Sequence, residues 1–319
     1  MRRQFIKQIG LSALGVLLLP KIVFSNDKII EGMRKKPMLA YPVSAKPIDY
    51  NKPTFIQPKL DGVRCVIQAE PWVSNEASGY DIVAYSRTGK EWKNIEHILA
   101  QLKPFFDKYP RVILDGELYN HNLRDDFGKI ISLVRKTKPT DEDRLEASKL
   151  TQFHCYDIID EKLPFDQRIE FVNQSLMLIG SSIHIVNTHM VGNEPAAKEF
   201  HKINLDNGYE GSIVRTNDTY ACKRSHNLRK FKDFHDAEAT LTGWVEGKGK
   251  RKGTIGKFTA VDSEGNTFGM PVMDKFKILQ ANFETMKDWV GQEATFTYFE
   301  RTKANSYRHP LFKALRNYE

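Results

Sequence analysis

The hydrophobic pattern of the chain changes near residues 233–238, and this change constrains the fold more than any other feature of the sequence. Before it, short runs rich in β-branched and aromatic residues alternate with segments whose apolar residues recur at intervals of three and four. The runs predict strands over 54–57, 63–68, 82–86, 112–114, 152–158 and 211–215. The intervals predict helices over 95–106 and 127–134. This part is therefore predicted to be a mixed α+β domain.

After the change, strand patterns dominate. Strands are predicted over 239–245, 256–261, 267–270 and 294–299, with one helix over 273–283. Short strands with a single helix, spread over about 80 residues, suit a small barrel of the OB type, a common scaffold for nucleic-acid binding. We therefore predict an α+β protein in which residues 26–234 form antiparallel sheets with flanking helices and residues 235–319 form an OB-fold β-barrel.

The first 25 residues have the pattern of a secretory signal. Arg2, Arg3 and Lys7 precede an apolar run over 9–19, which is too short for an ordinary membrane span. The paired arginines resemble a twin-arginine leader, which directs export. We expect a periplasmic protein without stable membrane association once residues 1–25 are removed. A buried N-terminal helix or a misassigned start codon are the alternatives, and the protein would then stay cytoplasmic.

The charge of the chain is concentrated in one segment. The formal net charge is +8, and residues 223–257 alone contain ten basic and four acidic residues. This distribution indicates a localised contact with a polyanion. The three cysteines are few and widely spaced, so they predict neither a disulfide framework nor a zinc site.

The stretch Gln57-Pro58-Lys59-Leu60-Asp61-Gly62-Val63-Arg64 raises the question of whether Lys59 is a nucleophile. A free lysine amine has a pKa of about 10.4, so nucleophilic use requires burial, neighbouring cations or a metal. Attack on phosphorus also requires groups that manage phosphate charge. Two acids at predicted strand ends, Glu117 and Glu210, and an alternating lysine pair, Lys230 and Lys232, could supply these groups. Each of these short motifs is weak evidence when taken alone.

The ordered set of motifs is far more specific than any one of them. K-L-D-G-V-R, S-R-T-G, L-D-G-E-L, F-H-C-Y-D, E-G-S-I-V-R and L-R-K-F-K, in that order, resemble the covalent nucleotidyltransferases, namely ATP-dependent DNA ligases, RNA ligases and capping enzymes. The segment 236–256 resembles the start of a DNA ligase OB domain. The leader and two-domain core resemble minimal exported bacterial ligases.

This resemblance implies an adenylyltransferase domain over 26–234 that uses ATP with Mg²⁺ or Mn²⁺. It also implies a monomer that seals nicked double-stranded DNA in repair, replication or recombination. Lys59 would attack the α-phosphate of ATP and carry AMP. The other implied roles are nucleotide contacts by Gln57, Arg64, Glu117, Tyr156, Lys230, Lys232 and Arg316; metal ligation by Glu117 and Glu210; and DNA contacts by Arg87, Lys248, Lys250, Arg251 and Lys252.

Several assignments stay open at the level of single residues. Tyr156 can fill the core, Asp61 can cap a turn, and Arg64 can pair with a carboxylate. The basic run over 248–252 can be a solvated loop. The chain also departs from the family pattern, because Gln57 stands where many relatives have Glu. Residues 317–319 lack the usual acid and lysine after Arg316.

Two other functions share these features. An RNA ligase or a capping-type guanylyltransferase would use the same lysine chemistry, and the ligase-like segment 236–256 favours DNA over these substrates. A non-catalytic nucleic-acid-binding relative would keep the fold and lose the site. The joint presence of Lys59, Glu117, Glu210, Lys230 and Lys232 argues against that alternative.

Overall fold

A computed structural model of the protein describes residues 32–74, 77–124, 126–302 and 305–316. The predicted leader at 1–25 lies outside these residues. Within the described ranges, none of the helices combines the length and the apolar composition that crossing a bilayer requires.

The first part of the chain contains ten strands and six α-helices within its described residues. The strands are β1 (Leu39–Pro42), β2 (Thr54–Pro58), β3 (Val63–Val73), β4 (Ser78–Tyr85), β5 (Ile113–Tyr119), β6 (Gln152–Ile158), β7 (Ile183–Ile185), β8 (His189–Val191), β9 (Ser212–Thr216) and β10 (Arg224–Phe231). The helices are α1 (Glu96–Gln101), α2 (Lys103–Lys108), α3 (Phe127–Val134), α4 (Asp141–Leu150), α5 (Phe165–Leu176) and α6 (Glu194–Asp206).

These strands form two five-stranded sheets that pack on each other. One sheet has the order β1-β10-β9-β2-β8 and the other β4-β3-β5-β6-β7. All pairs are antiparallel except β1 with β10 and β6 with β7. Met38, Val66, Ile113 and Leu228 form a buried cluster where the sheets meet. The larger core lies between the second sheet and its helices and includes Phe105.

The second part begins with β11 and forms a small barrel. Its elements are β11 (His235–Glu246), β12 (Ile255–Val261), β13 (Thr267–Pro271), α7 (Phe276–Ala281), α8 (Phe283–Lys287), β14 (Glu293–Tyr298), β15 (Glu300–Arg301), β16 (Tyr307–Arg308) and β17 (Leu311–Leu315). The sheet order is β13-β12-β11-β14-β17, and a parallel bridge between Val272 and Phe312 brings the two edges together. The barrel core includes Phe258, Met270 and Phe296. A five-stranded barrel with a helical insertion is the predicted OB architecture.

The predicted α+β fold is confirmed, with differences that have physical reasons. The helix predicted over 95–106 is two helices that meet at Leu102, just before Pro104, which lacks the N–H that a continuous helix needs. The helix predicted over 273–283 is likewise divided, at Asn282. The division at 234/235 stays a prediction. β10 ends at Phe231 and β11 begins at His235.

A buried ion-pair network fixes the end of β6. Asp157 accepts hydrogen bonds from Arg168 Nε at 2.7 Å and from Arg215 Nη1 at 2.6 Å. Arg168 is 1% exposed and also donates to the carbonyl oxygens of Leu163 and Asp218. Removing one member of such a network leaves the remaining buried charge without a partner.

We therefore expect Arg168→Met to lower the free energy of unfolding by about 3–5 kcal/mol. The matched change Arg144→Met breaks the exposed ion pair with Glu96 and should cost less than about 1 kcal/mol. Urea unfolding of both variants measures the difference. Equal losses would contradict the role assigned to the Asp157 network.

Candidate active site

The pairing of β2 with β9 places Lys59 beside Glu210. Lys59 follows the last residue of β2, and Glu210 lies two residues before β9. The Lys59 N–H donates to the Gly211 carbonyl oxygen at 2.9 Å, and the Glu210 N–H donates to the Lys59 carbonyl oxygen at 3.1 Å. Two backbone hydrogen bonds thus fix the nucleophile candidate against the acidic segment.

The Glu210 carboxylate lies between two lysine ammonium groups. One oxygen contacts Lys59 Nζ and the other contacts Lys232 Nζ. The Glu210 side chain is 3% exposed, so this arrangement is shielded from water. Lys232 Nζ also lies 4.3 Å from the centre of the Phe299 ring. Three residues singled out in the sequence therefore meet at one buried point.

Burial is the main influence on the pKa of the Lys59 amine, and it lowers that pKa. Glu117 and Asp61 raise the pKa, whereas Arg308 and Arg64 lower it further.

Burial, followed by repulsion from Lys59, lowers the pKa of Lys232 to about 8. Burial and Lys59 likewise lower the pKa of Lys230. The site therefore favours a neutral amine, while the contact with Glu210 opposes this by favouring the ammonium form.

Glu117 is a half-buried carboxylate near Lys59. It lies on β5 and accepts a hydrogen bond from the Tyr156 hydroxyl at 3.2 Å. Burial raises the pKa of Glu117 to about 7, and Arg64 and Lys59 limit this rise. A carboxyl group that titrates near neutral pH is typical of functional sites.

Arg64 pairs with a carboxylate, which was the open alternative for this residue. Its Nε and Nη2 donate to the two oxygens of Asp115 at 2.6 and 2.5 Å. The Tyr220 hydroxyl donates to the same carboxylate at 2.6 Å. The Arg64 guanidinium also lies 5.2 Å from the centre of the Tyr156 ring. Arg64 is therefore held rigidly beside the predicted base-stacking residue.

The side chain of Gln57 is 1% exposed and makes three hydrogen bonds. Its Nε2 donates to the Tyr156 carbonyl oxygen at 3.2 Å and to Thr188 Oγ1 at 2.9 Å. Its Oε1 accepts from Arg215 Nε at 2.7 Å. Gln57 therefore connects Tyr156 to Arg215, and Arg215 connects this pocket to Asp157.

The arginine of the C-terminal segment that lies beside the Lys59 loop is Arg308. Its Nη2 donates to Asp61 Oδ1 at 2.7 Å, and its Nη1 lies 2.6 Å from Glu300 Oε1. Asp61 thus pairs with the barrel. Arg316, the residue selected from the sequence, contacts Glu238 on β11. Arg308 and Arg316 lie in the same C-terminal segment, and the sequence offers no signal that favours one of them for this contact.

The residues predicted to contact DNA lie in surface loops. Arg87 is exposed in the turn after β4. Lys248, Lys250 and Lys252 are exposed in the loop between β11 and β12. Arg251 in the same loop is half-buried rather than exposed, and its Nη2 donates to the Val272 carbonyl oxygen at 3.0 Å.

A cavity of about 340 Å³ opens between the barrel and the Lys59 cluster. Its lining is rich in acids and aromatic rings, and it includes Asp61, Tyr209, Glu210, Phe299 and Glu300. The dimensions suit a small ligand next to the buried lysines.

Residues 37–232 match the model of the ATP dependent DNA ligase domain. The match covers more than half of the chain. The chain belongs to the ATP-dependent DNA ligase domain family.

Similar ligases are encoded by African swine fever virus. The DNA ligase of isolate Tick/South Africa/Pretoriuskop Pr4/1996 is 31% identical over 214 residues, which cover 63% of this chain and 47% of the viral protein. The DNA ligase of isolate Pig/Kenya/KEN-50/1950 is 30% identical over 214 residues with the same coverage. The chain spans about half the length of these relatives.

Solved structures of ligases share the fold. A Lig E DNA ligase, solved in a study of DNA binding with a minimal scaffold, superimposes with a TM-score of 0.69 and 23% identity. The alignment covers 89% of this chain and all of that chain. The protein named Pmar-Lig_PreS3 gives a TM-score of 0.69 with 21% identity, over 88% of this chain and 67% of its own. At these identities the likeness establishes the shared architecture of a ligase domain and a barrel.

The buried carboxyl group of Glu117 makes a pH-dependent prediction for this ligase-domain protein. Its folded pKa of about 7 exceeds the ordinary value of 4.5, so the unfolded chain ionises first as pH rises. The cost of burying the charge therefore grows between these two pH values and is fully present above them. We expect Glu117→Gln to raise the free energy of unfolding at pH 8 by roughly 1–3 kcal/mol, and by much less at pH 5.

Urea unfolding of the nucleotide-free protein at both pH values measures this effect. Glu199→Gln, at an exposed position on α6, is the control and should give the same small change at both. A Glu117→Gln variant that is equally or less stable at pH 8 would contradict the assignment.

Proposed function

We propose that this protein is an ATP-dependent DNA ligase that seals nicks in duplex DNA through a covalent lysyl-AMP intermediate. One observation carries the proposal. A half-buried lysine, Lys59, shares the Glu210 carboxylate with a second lysine, Lys232, and Glu210 lines a cavity in a DNA ligase domain.

The first step is nucleophilic attack by the Lys59 amine. Nζ, as a neutral amine, forms a bond to the α-phosphorus of ATP while the bond from that phosphorus to the bridging oxygen breaks. Pyrophosphate leaves, and Nζ releases one of its two remaining protons to solvent to give the lysyl-AMP. Burial of Lys59 lowers its pKa and so favours the neutral amine. Loss of the Glu210 contact would remove the group that favours the ammonium form. Lys230 and Lys232 would then stabilise the negative charge on the phosphate.

Glu117 and Glu210 have the chemistry to hold a Mg²⁺ or Mn²⁺ ion. These ions take oxygen ligands, commonly one or two carboxylates together with substrate phosphates. Burial raises the pKa of Glu117 to about 7, and a nearby cation would favour its charged form. When bound, the ion would neutralise phosphate charge during the displacement.

The nucleotide pocket would be formed around Tyr156. Its ring would stack on the base, flanked by the guanidinium groups of Arg64 and Arg215 at 5.2 and 5.4 Å. Gln57 would support the pocket through its hydrogen bond to the Tyr156 carbonyl oxygen. Arg316 is proposed to approach the ATP tail. Its contact with Glu238 would have to break first.

Two further displacements at the same site complete the reaction. AMP passes from Lys59 to the 5′-phosphate at the nick, which frees the lysine. The adjacent 3′-hydroxyl then attacks that phosphate, AMP leaves and the backbone is sealed. Arg87 and the loop that holds Lys248, Lys250, Arg251 and Lys252 would contact DNA phosphates, which position a duplex without specifying its sequence.

The biological setting is part of the proposal. Residues 1–25 would direct export to the periplasm, and residues 26–234 and 235–319 would act as adenylation and OB domains of a monomer. The family and the nicked substrate support a role in DNA repair, replication or recombination.

The proposal is tested by trapping label on the protein. Incubation with Mg²⁺ and α-labelled ATP should give an acid-labile adduct, and Lys59→Ala should abolish it because the attacking atom is gone. Lys198→Ala, an exposed lysine on α6, should label like the wild type. Label from GTP instead of ATP would indicate a capping-type guanylyltransferase. A labelled protein that seals nicks in RNA but not in DNA would indicate an RNA ligase. If neither nucleotide labels the protein, the result would favour the third function, a non-catalytic nucleic-acid-binding relative.

The loop over 248–252 gives a separate prediction about DNA affinity. Replacing Lys248, Lys250 and Lys252 by Ser should weaken nicked-duplex binding and reduce the slope of log affinity against log salt by about 2–3. A matched variant that replaces exposed Lys149, Lys198 and Lys202 by Ser should change the slope little. Fluorescence anisotropy over a salt series measures both, and equal slopes would contradict phosphate contact by the loop.

A further inference from the structure

A chain of hydrogen bonds through a buried histidine lies behind the Lys59 cluster. His201 lies on α6 and is 4% exposed. Its Nδ1 is 3.1 Å from Ser212 Oγ, and its Nε2 is 3.3 Å from Asp233 Oδ1. Asn204 Nδ2 donates to the same Ser212 oxygen at 2.8 Å. The chain therefore links α6 to the first residue of β9 and to the residue after Lys232.

The donors and acceptors allow one consistent arrangement with a neutral imidazole. The Asp233 carboxylate only accepts, so the hydrogen of His201 belongs on Nε2. Nδ1 is then an acceptor and takes the hydroxyl hydrogen of Ser212. The Asn204 amide donates to the Ser212 oxygen. Both imidazole nitrogens and the Ser212 hydroxyl have partners in this arrangement.

Ser, His and Asp in hydrogen-bonded order also make up nucleophilic triads, but burial and order exclude that role. The side chain of Ser212 is fully buried, so its oxygen cannot reach a substrate. In a triad the serine bonds to Nε2 and the aspartate to Nδ1, and here the two are exchanged. The network is therefore suited to holding backbone segments.

The imidazole ring also packs against both segments that it joins. It stacks on Phe231, with ring centres 3.7 Å apart and planes 11° apart. A Cβ added to Gly211 would lie 3.3 Å from His201 Cε1 and 2.3 Å from the Phe231 carbonyl oxygen. Gly211 follows Glu210 and Phe231 precedes Lys232. One ring thus touches the neighbours of both charged groups.

We propose that His201 is a positioning residue for the adenylylation of Lys59, an inference that rests on the function proposed above. Ser212 lies two residues after Glu210, and Asp233 directly follows Lys232. By holding Ser212 and Asp233 together, His201 sets the distance between the Glu210 carboxylate and the Lys232 ammonium. The two backbone hydrogen bonds between Lys59 and the Glu210–Gly211 peptide transmit the same constraint to the nucleophile.

The test compares two variants that separate hydrogen bonding from packing. His201→Phe keeps a ring on Phe231 and removes both nitrogens, whereas His201→Gln keeps one donor and one acceptor. The rate constant of label transfer from saturating ATP should fall about 10- to 100-fold in His201→Phe, as expected for misplaced reacting groups. The KM for ATP should change less than about 2-fold, because the lost interaction does not bind substrate.

His201→Gln should recover most of the lost rate. Lys202→Ala, the neighbouring exposed lysine that pairs with Asp206, is the control and should match the wild type. A His201→Phe variant that folds and labels at the wild-type rate would overturn the inference. So would a loss that appears only in the KM for ATP.

Asp233→Ala keeps the test sharp if His201→Phe does not fold, because the Asp233 side chain is 57% exposed. Its label-transfer rate should fall several-fold, as removal of a single hydrogen-bond partner predicts, and an unchanged rate would overturn the inference.

The ¹⁵N chemical shifts of His201 give a readout that needs no activity. The Nε2-protonated tautomer is expected, and an Nδ1-protonated ring would overturn the hydrogen-bond chain. A wild type that takes no label but shows the expected tautomer would refute the proposed function while leaving the network intact.

Discussion

The Glu210 carboxylate organises the candidate active site because two lysine side chains pair with it. Lys59 and Lys232 directly follow different strands, and their ammonium groups would repel each other in a site partly shielded from water. The shared carboxylate offsets that repulsion, and Glu210 itself lines the cavity. Its place is fixed in turn by the β2–β9 pairing and by the hydrogen bonds of the adjoining peptide.

This arrangement balances two opposing influences on the protonation of the proposed nucleophile, the Lys59 amine. The amine is buried, which favours its neutral form, and it is paired, which favours its charged form. The balance changes with whatever engages Glu210. A ligand that draws this carboxylate away would release the amine at the moment when a phosphate is near. Such coupling of ligand arrival to nucleophile release avoids a permanently exposed reactive group.

The α+β class followed from the change of pattern near 233–238 and from alternating strands such as 63–68. β1, β7 and β8 were not predicted because they have three or four residues each, too few for a periodic signal. The meeting of Lys59, Glu210 and Lys232 followed from the resemblance of the motifs. The contact between Asp61 and Arg308 joins residues 247 positions apart, so it depends on how the barrel packs and has no local signature.

The network around Asp157 connects the proposed nucleotide pocket to the buried core of the first part of the chain. Arg168 and Arg215 share the Asp157 carboxylate, and Arg215 also donates to Gln57 beside Tyr156. A substitution at position 57 therefore alters the hydrogen bonding of an arginine that is 3% exposed. In the proposed role of Gln57, base preference and stability would therefore depend on the same arginine. A residue at position 57 that cannot accept a hydrogen bond would leave Arg215 Nε without this partner.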